Sequence, residues 1–484
     1  MNSAIRRLAV AAIILMLALI ANSTYLQAFR AGELNGRNDN RRVRNEQFSV
    51  NRGPILIGNT LIARSVESND QYKYQRTYSN GPLYAPVTGY YSFQFGRGGI
   101  ELNQNSELNG SDPSLAFRRF VDVLTDKGQQ GASVSLTLNA AAQQAAYTAL
   151  GNNKGAAVAI EPKTGKILAL VSKPSYDPNL LASHDLNKAS DAWKALNASA
   201  NKPMSNRAIK EVYPPGSTFK LVTLAAALST GRYKADTKVN SPASLPLPQT
   251  TTPLPNENGR NCGGSDNATL TVALALSCNT AFASVGLDLG ADALREQAEK
   301  FGFGERQLPE LGAAASQFPG DPNAPQVAQS AIGQFDVRAT PLQMAMVAAG
   351  IANKGTVMKP YLVQNVRTPD LKTVEETKPE ELHQAVTPEV AGELTAMMVN
   401  VVKNGTGKPG QISGIDVAGK TGTAQSAKDR PPYAWFTAFA PANDPQIAVA
   451  VIIEDAVGVG RDDIAGGKLA APVAKKMMEA VLGR

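Results

Sequence analysis

Tyr213-Pro-Pro-Gly-Ser217-Thr-Phe-Lys220 is the stretch from which the rest of the chain is read. Two prolines and a glycine force a turn. The run that follows, Leu221-Val-Thr-Leu-Ala-Ala-Ala-Leu228, has no breaker and predicts a buried helix starting at or next to Ser217. On such a helix Lys220 lies one turn after Ser217 on the same face, which brings an amine towards a hydroxyl near the positive end of the helix dipole. A serine hydroxyl attacks weakly until a base takes its proton, and lysine is that base only where a dry, cation-rich site lowers its pKa. Ser199-Ala-Asn-Lys202 has the same spacing but neither the Pro-Pro-Gly turn nor the apolar helix. Ser217 is therefore the candidate nucleophile and Lys220 its candidate base.

The whole chain supports this choice by elimination. Its 484 residues, 43% hydrophobic and 18% charged, suffice for a large core and more than one domain. The net charge of +7 is spread along the chain, which argues against nucleic acid and suits an anionic envelope or membrane surface. His184 and His383 are the only histidines and Cys262 and Cys278 the only cysteines, so no zinc-type cluster is present and no metal or cofactor is expected. Neither histidine has a motif around it, which argues against a Ser-His-Asp triad and for a lysine base.

Arg6-Arg7 precedes an apolar run from Leu8 to Ala21 that continues less purely to Phe29. This is a membrane-targeting segment: an uncleaved anchor is the favoured reading, and a signal peptide cut near Ala21-Asn-Ser23 the alternative. Arg30, Arg37, Arg41, Arg42 and Arg44 follow it, diluted by Glu33 and Asp39, so charge alone does not orient the span. Residues 1–30 are read as tip and anchor, residues 31–132 as a non-catalytic α+β region, and residues 133–484 as one mixed α/β domain. In the middle region the series Tyr72, Tyr74, Tyr78, Tyr84, Tyr90, Tyr91 and Phe93 reads as packing rather than as a sugar-stacking platform. In the last, the pattern predicts a helix from Asn139 to Leu150, then a hairpin of Ala156–Ile160 and Lys166–Ser172. Helices near Leu270–Leu289, Pro341–Ala352 and Pro388–Val402 follow. Strands Ile415–Val417, Ala434–Phe439 and Gln446–Ile453 and a closing helix Pro472–Leu482 complete it.

Two further motifs carry chemistry. Lys420-Thr421-Gly422-Thr423 sets a cation beside hydroxyls, which suits a substrate carboxylate, and its glycine clears room where substrate lies along a strand edge. A second Lys-Thr-Gly, Lys163 to Gly165, falls in the hairpin turn and reads as structural. A Ser-x-Asn element presents a hydroxyl for proton relay and an amide for a substrate amide, and two copies compete. Ser265-Asp-Asn267 lies in a Gly/Asn-rich loop beside a helix entry. Ser277-Cys-Asn279 lies between helical segments and is preferred.

Together these residues resemble the penicillin-binding proteins, members of the serine acyl-transferase family that also holds the serine β-lactamases. The resemblance extends from Ser133 to the C-terminus and includes Pro174-Ser-Tyr-Asp-Pro-Asn179, Asn206-Arg-Ala208, Ala331-Ile-Gly-Gln334, Thr340-Pro-Leu-Gln-Met-Ala345 and Gly405-Thr-Gly407. One anchor, a short non-catalytic region, no glycosyltransferase block and the Ser-Cys-Asn variant look most like the class B, monofunctional PbpA type of actinobacteria. Phe335, where these enzymes often have glycine, and the lack of PASTA repeats are departures.

The resemblance implies a penicillin-binding transpeptidase fold, outside the cytoplasmic membrane, that cross-links peptidoglycan stem peptides and is acylated by β-lactams. Ser217 would attack the D-Ala-D-Ala carbonyl, Lys220 act as base, Ser277 relay a proton, and Asn279 hold Lys220 and the substrate amide. Lys420, Thr421 and Thr423 would bind the terminal carboxylate, and the N–H groups of Ser217 and Thr423 would form the oxyanion hole. A SEDS-type glycan polymerase and other division or elongation proteins are the implied partners. An oxidising exterior would allow Cys262 and Cys278 to pair, with two separate thiols as the alternative. Rival readings are a water-using carboxypeptidase or β-lactamase, and a non-enzymatic sensor or scaffold. A β-lactamase needs a deacylating glutamate, and neither Glu161 nor Glu211 has the context of one.

Overall fold

The apolar run at the start of the chain forms one helix, Ser3–Ala28, whose 26 residues lie unburied against the rest of the molecule. At about 1.5 Å per residue it reaches roughly 39 Å, enough to cross a bilayer. It is the one such helix among the described residues. The computed structural model describes residues 3–30, 33–34, 41–115, 129–426 and 430–484; Ala31, Arg37 and Asp39 of the sequence reading lie outside the described residues.

A mixed sheet of six strands follows, in the order Thr373–Glu376, Val363–Arg367, Ser133–Leu136, Ile55–Ile57, Thr60–Glu67 and Tyr74–Tyr78. Ile55–Ile57 runs parallel to Ser133–Leu136 and the other neighbours are antiparallel. Its first two strands come from far along the chain, a hairpin the sequence reading does not anticipate. Beside this sheet Glu101, fully buried, accepts from Arg52 Nε and Arg76 Nε at 2.6 Å each and from the Tyr78 hydroxyl at 3.1 Å. The aromatic series packs as expected: Tyr78 and Tyr84 are in the core, and Phe48 stacks on Tyr91 at 4.3 Å and meets Tyr72 and Phe93 edge-on.

The second sheet carries the Lys420–Thr423 motif on an edge strand. Its five antiparallel strands run Ala418–Ala424, Tyr433–Ala440, Ile447–Asp455, Lys154–Ile160 and Ile167–Lys173, so the two ends of the domain meet in one sheet. Side chains alternate across it: Ala156, Val158, Ala448, Ala450 and Ile452 join the larger core, while Ala157, Ala159, Val449, Val451 and Ile453 face the other. Helices Ala140–Leu150 and Gly466–Val481 cover the second face and Pro341–Ala352 packs on the first. A sheet buried on both sides explains strands that read as unbroken apolar runs.

Three expected elements differ. Ile415–Val417 is no strand; Ile412 and Ile415 form only an isolated bridge, and regular pairing starts at Ala418. The Lys-Thr-Gly motif therefore lies within the edge strand rather than after it. The closing helix begins at Gly466, with Pro472 inside it, because burial of Ala470 and Ala471 against the sheet outweighs the breaker. Leu270–Leu289 is two helices, Leu270–Leu276 and Asn279–Lys300, parted at Ser277-Cys278.

Candidate active site

Ser217 sits in a short 3-10 turn, Gly216–Thr218, that leads into the helix Lys220–Ser229. Gly216 takes φ +53, and its N–H donates to Gly333 O at 2.9 Å. Gly333 is at φ +71, and a Cβ there would meet Gly216 O at 2.2 Å, so Ala331-Ile-Gly-Gln334 backs the Ser217 turn. On its other side the Trp435 indole N–H donates to Pro214 O at 3.0 Å, and Thr218 Oγ1 donates to Pro215 O at 2.7 Å. The turn is thus fixed from outside, while Ser217, 9% exposed, makes no side-chain hydrogen bond among the described residues.

Lys220 and Lys420 are both fully buried. Lys220 Nζ donates to Asn279 Oδ1 at 2.8 Å and to Ser277 O at 2.7 Å, and Ser277 Oγ is 3.4 Å away. Lys420 Nζ donates to the same Ser277 Oγ at 2.8 Å and to Thr421 O at 2.8 Å. Ser277 serves both lysines because it caps the helix Leu270–Leu276 in the left-handed conformation, φ 60 and ψ 38, which turns its carbonyl and hydroxyl into the cleft. A non-glycine residue held there is locally strained, a condition that clusters at functional sites. Burial, and then the neighbouring Lys420 charge, hold the Lys220 amine well below its ordinary pKa, opposed by Glu257. Burial likewise lowers Lys420 to about 7, again opposed by Glu257. A buried amine that gives up its proton more readily than an ordinary lysine can take one from a hydroxyl.

The Lys420–Thr423 stretch lies on the sheet's outermost strand, facing the Ser217 turn. A Cβ on Gly422 would stand 3.0 Å from Pro215 O and 3.1 Å from Thr218 Cγ2, so the side chain missing at Gly422 lets the strand lie close against the Ser217 turn. Ser217, Ser277, Thr421 and Thr423 line one cleft of about 270 Å³ together with Thr406 and Glu257. The sequence reading leaves those last two unassigned. Thr406 is inside Gly405-Thr-Gly407, its Oγ1 2.6 Å from Thr421 Oγ1, and that motif is the signal that marks it. Glu257 stands in a loop without a motif.

The competing copies lie elsewhere. Ser199 ends the helix Leu186–Ala198, Lys163 is exposed and paired with Asp444 at 2.8 Å, and Ser265 bonds within its own loop to Asn267. Glu161 binds Thr164 in the hairpin turn and Glu211 accepts from Ser205 at 2.6 Å. Cys262 and Cys278 form a disulfide, Cα to Cα 5.8 Å, that ties the loop holding Glu257 to the Ser-Cys-Asn motif. Phe335 takes φ 58, the left-handed region that glycine adopts most readily.

The family described as penicillin binding protein transpeptidase domain matches residues 155–479, and that described as penicillin binding protein A dimerisation domain matches residues 52–134. The chain is 44% identical to the peptidoglycan D,D-transpeptidase PbpA of Mycolicibacterium smegmatis over 100% of this chain and 99% of that protein. It is 43% identical to PbpA of Mycobacterium tuberculosis with the same coverage. Penicillin-binding protein A from M. tuberculosis, solved as a ceftriaxone acyl-enzyme complex, superposes with a TM-score of 0.87 at 42% identity, covering 90% of this chain and 100% of that one. Its penicillin G acyl-enzyme complex gives 0.85 at 43% identity, covering 89% and 99%. On the match to more than half its length, and on the motif geometry that accompanies it, this chain belongs to the penicillin-binding protein family and is a class B member of PbpA type.

Proposed function

We propose that this chain is a membrane-anchored peptidoglycan D,D-transpeptidase working through a Ser217 acyl-enzyme that β-lactams also form. The carrying observation is the Lys220 amine, one helical turn from Ser217, fully buried beside a second lysine and held by Asn279 and the Ser277 carbonyl. Lys220 takes the Ser217 proton as Oγ bonds to the penultimate D-Ala carbonyl carbon. Collapse breaks the peptide bond, and the terminal D-Ala leaves with a proton passed from Lys220 through Ser277 Oγ. The N–H groups of Ser217 and Thr423 hold the oxyanion, a role typically worth about 3 to 4 kcal/mol per donor. Lys420, Thr421 and Thr423 take the terminal carboxylate; Asn279 also meets the substrate amide, and Gly422 lets the strand close on the nucleophile turn. An amine from a second stem peptide then displaces Ser217.

The apolar Ser3–Ala28 helix supports an anchor; a catalytic domain on the outer side and a SEDS-type polymerase as partner in the same membrane belong to the proposal. The disulfide supports the oxidising side. The test is intact-mass spectrometry of the full chain in detergent after incubation with a fluorescent penicillin. One adduct, lost in Ser217→Ala and kept in Ser199→Ala, is expected. No adduct, or one that survives Ser217→Ala, overturns the reading.

A further inference from the structure

An acylated Ser217 has two possible fates, attack by an amine or attack by water, and the cleft carries a feature that bears on the choice. The acceptor amine is a cation in solution, since an alkyl amine titrates near 10. It must approach a floor built on Lys220 and Lys420, both buried. Among the residues lining the cleft Glu257 is the one carboxylate, and it also lines the adjoining cavity of about 350 Å³ between Asn258, Arg260 and the disulfide. Its side chain is exposed and makes no ion pair among the described residues, so its charge is available to a ligand. Both buried lysines feel it.

The position of Glu257 is fixed from both sides. The preceding Asn256 is buried: its Oδ1 accepts from Thr280 N at 3.1 Å and Thr280 Oγ1 at 3.2 Å, and its Nδ2 donates to Pro242 O and Arg260 O. Asn279, the residue that holds Lys220, donates to Pro255 O at 3.4 Å. The Cys262–Cys278 bond closes the other end. The loop is therefore built onto the Ser-Cys-Asn segment, with a carboxylate at the lip.

We propose that Glu257 recognises the ammonium group of the acceptor and so favours transfer to an amine over hydrolysis; this rests on the transpeptidase reading above. The carboxylate draws the cation to the cleft, where it gives up one proton to solvent. The neutral nitrogen then forms the new C–N bond, the bond to Ser217 Oγ breaks, and a second proton passes from nitrogen through Lys220 to Ser217. Glu257 acts on arrival and orientation, not on the acyl bond.

The test compares wild type with Glu257→Gln in the full chain, acylated by a D-alanyl thioester and offered D-alaninamide or its neutral hydroxy isostere D-lactamide. Glu257→Gln is expected to lower the ratio of amide product to hydrolysis about fivefold, the scale of a partly solvated charge contact. The loss should shrink in high salt. The ratio for D-lactamide should hold. An unchanged amide ratio, or equal losses with both acceptors, overturns the role of Glu257 while the acyl-enzyme stands. Failure of the wild type to be acylated by thioester and penicillin alike removes the transpeptidase reading instead, and Glu257 with it.

Discussion

Replacing Lys420 by methionine (Lys420→Met) keeps the length of the side chain and removes its charge from a fully buried position. The folded protein holds this amine at about 7 against an ordinary 10.5, so the unfolded chain binds more protons between those values. Stability contributed by such a group rises with pH across that window. At about pH 7 the mismatch amounts to about 4 kcal/mol against folding, at 1.36 kcal/mol per pKa unit. The methionine loses two hydrogen bonds, to Ser277 Oγ and Thr421 O, worth about 1 kcal/mol each. The variant should therefore be more stable than wild type by about 2 kcal/mol at neutral pH, with acylation by penicillin strongly reduced. Between about pH 7 and about pH 9 the wild type should regain about 2 kcal/mol relative to the variant, because only its own Lys420 sheds a proton in that range. Removing Lys420 also lifts Lys220, which works in the same direction. The comparison stops near pH 9 because buried tyrosines such as Tyr213, whose pKa is raised by burial, act oppositely at higher pH. Urea unfolding of both proteins at the two pH values measures the gap, and a gap that does not move refutes the account of a lysine buried against its charge.

Reduction of Cys262–Cys278, or Cys262→Ser, should cost about 3 kcal/mol for a loop of this size, read as a fall in melting temperature with reductant; an unchanged transition would show the bond to be idle. Gly333→Ala puts a Cβ 2.2 Å from Gly216 O at φ +71, and should displace the nucleophile turn, slowing penicillin acylation at least about tenfold. Stopped-flow acylation at the wild-type rate would contradict it. Glu101→Gln leaves Arg52 and Arg76 buried without a counter-charge and should cost about 3 to 5 kcal/mol in denaturation. A loss under about 1 kcal/mol would mean that solvent reaches the pair.

Much of the site is legible in the sequence because its parts are local. The Ser217 to Lys220 spacing is one helical turn, and Pro-Pro-Gly before an apolar run fixes where that turn begins. The Ser-Cys-Asn choice was also readable, since a break between two apolar helical stretches can present a hydroxyl where a Gly/Asn loop cannot. The edge strand was misplaced because Ile415–Val417 is the more apolar tripeptide, yet pairing follows Ala418 onward, where Tyr433–Ala440 supplies partners. Pro472 misled in the same way: local breaker strength was read without the sheet face that buries Ala470 and Ala471.

The sequence by itself determined the helix that follows Ser217, the three motifs, the apolar N-terminal helix and the strand pair Lys154–Ile160 and Ile167–Lys173, since each depends on neighbours in the chain. Only the tertiary structure decided that one serine hydroxyl meets both lysines, that Gly422 makes room for Pro215, and that a hairpin at residues 363–376 completes the first sheet. It also decided that Glu257 stands at the cleft. These are contacts between segments far apart in sequence, made by burial and by pairing of backbone groups that no local pattern records.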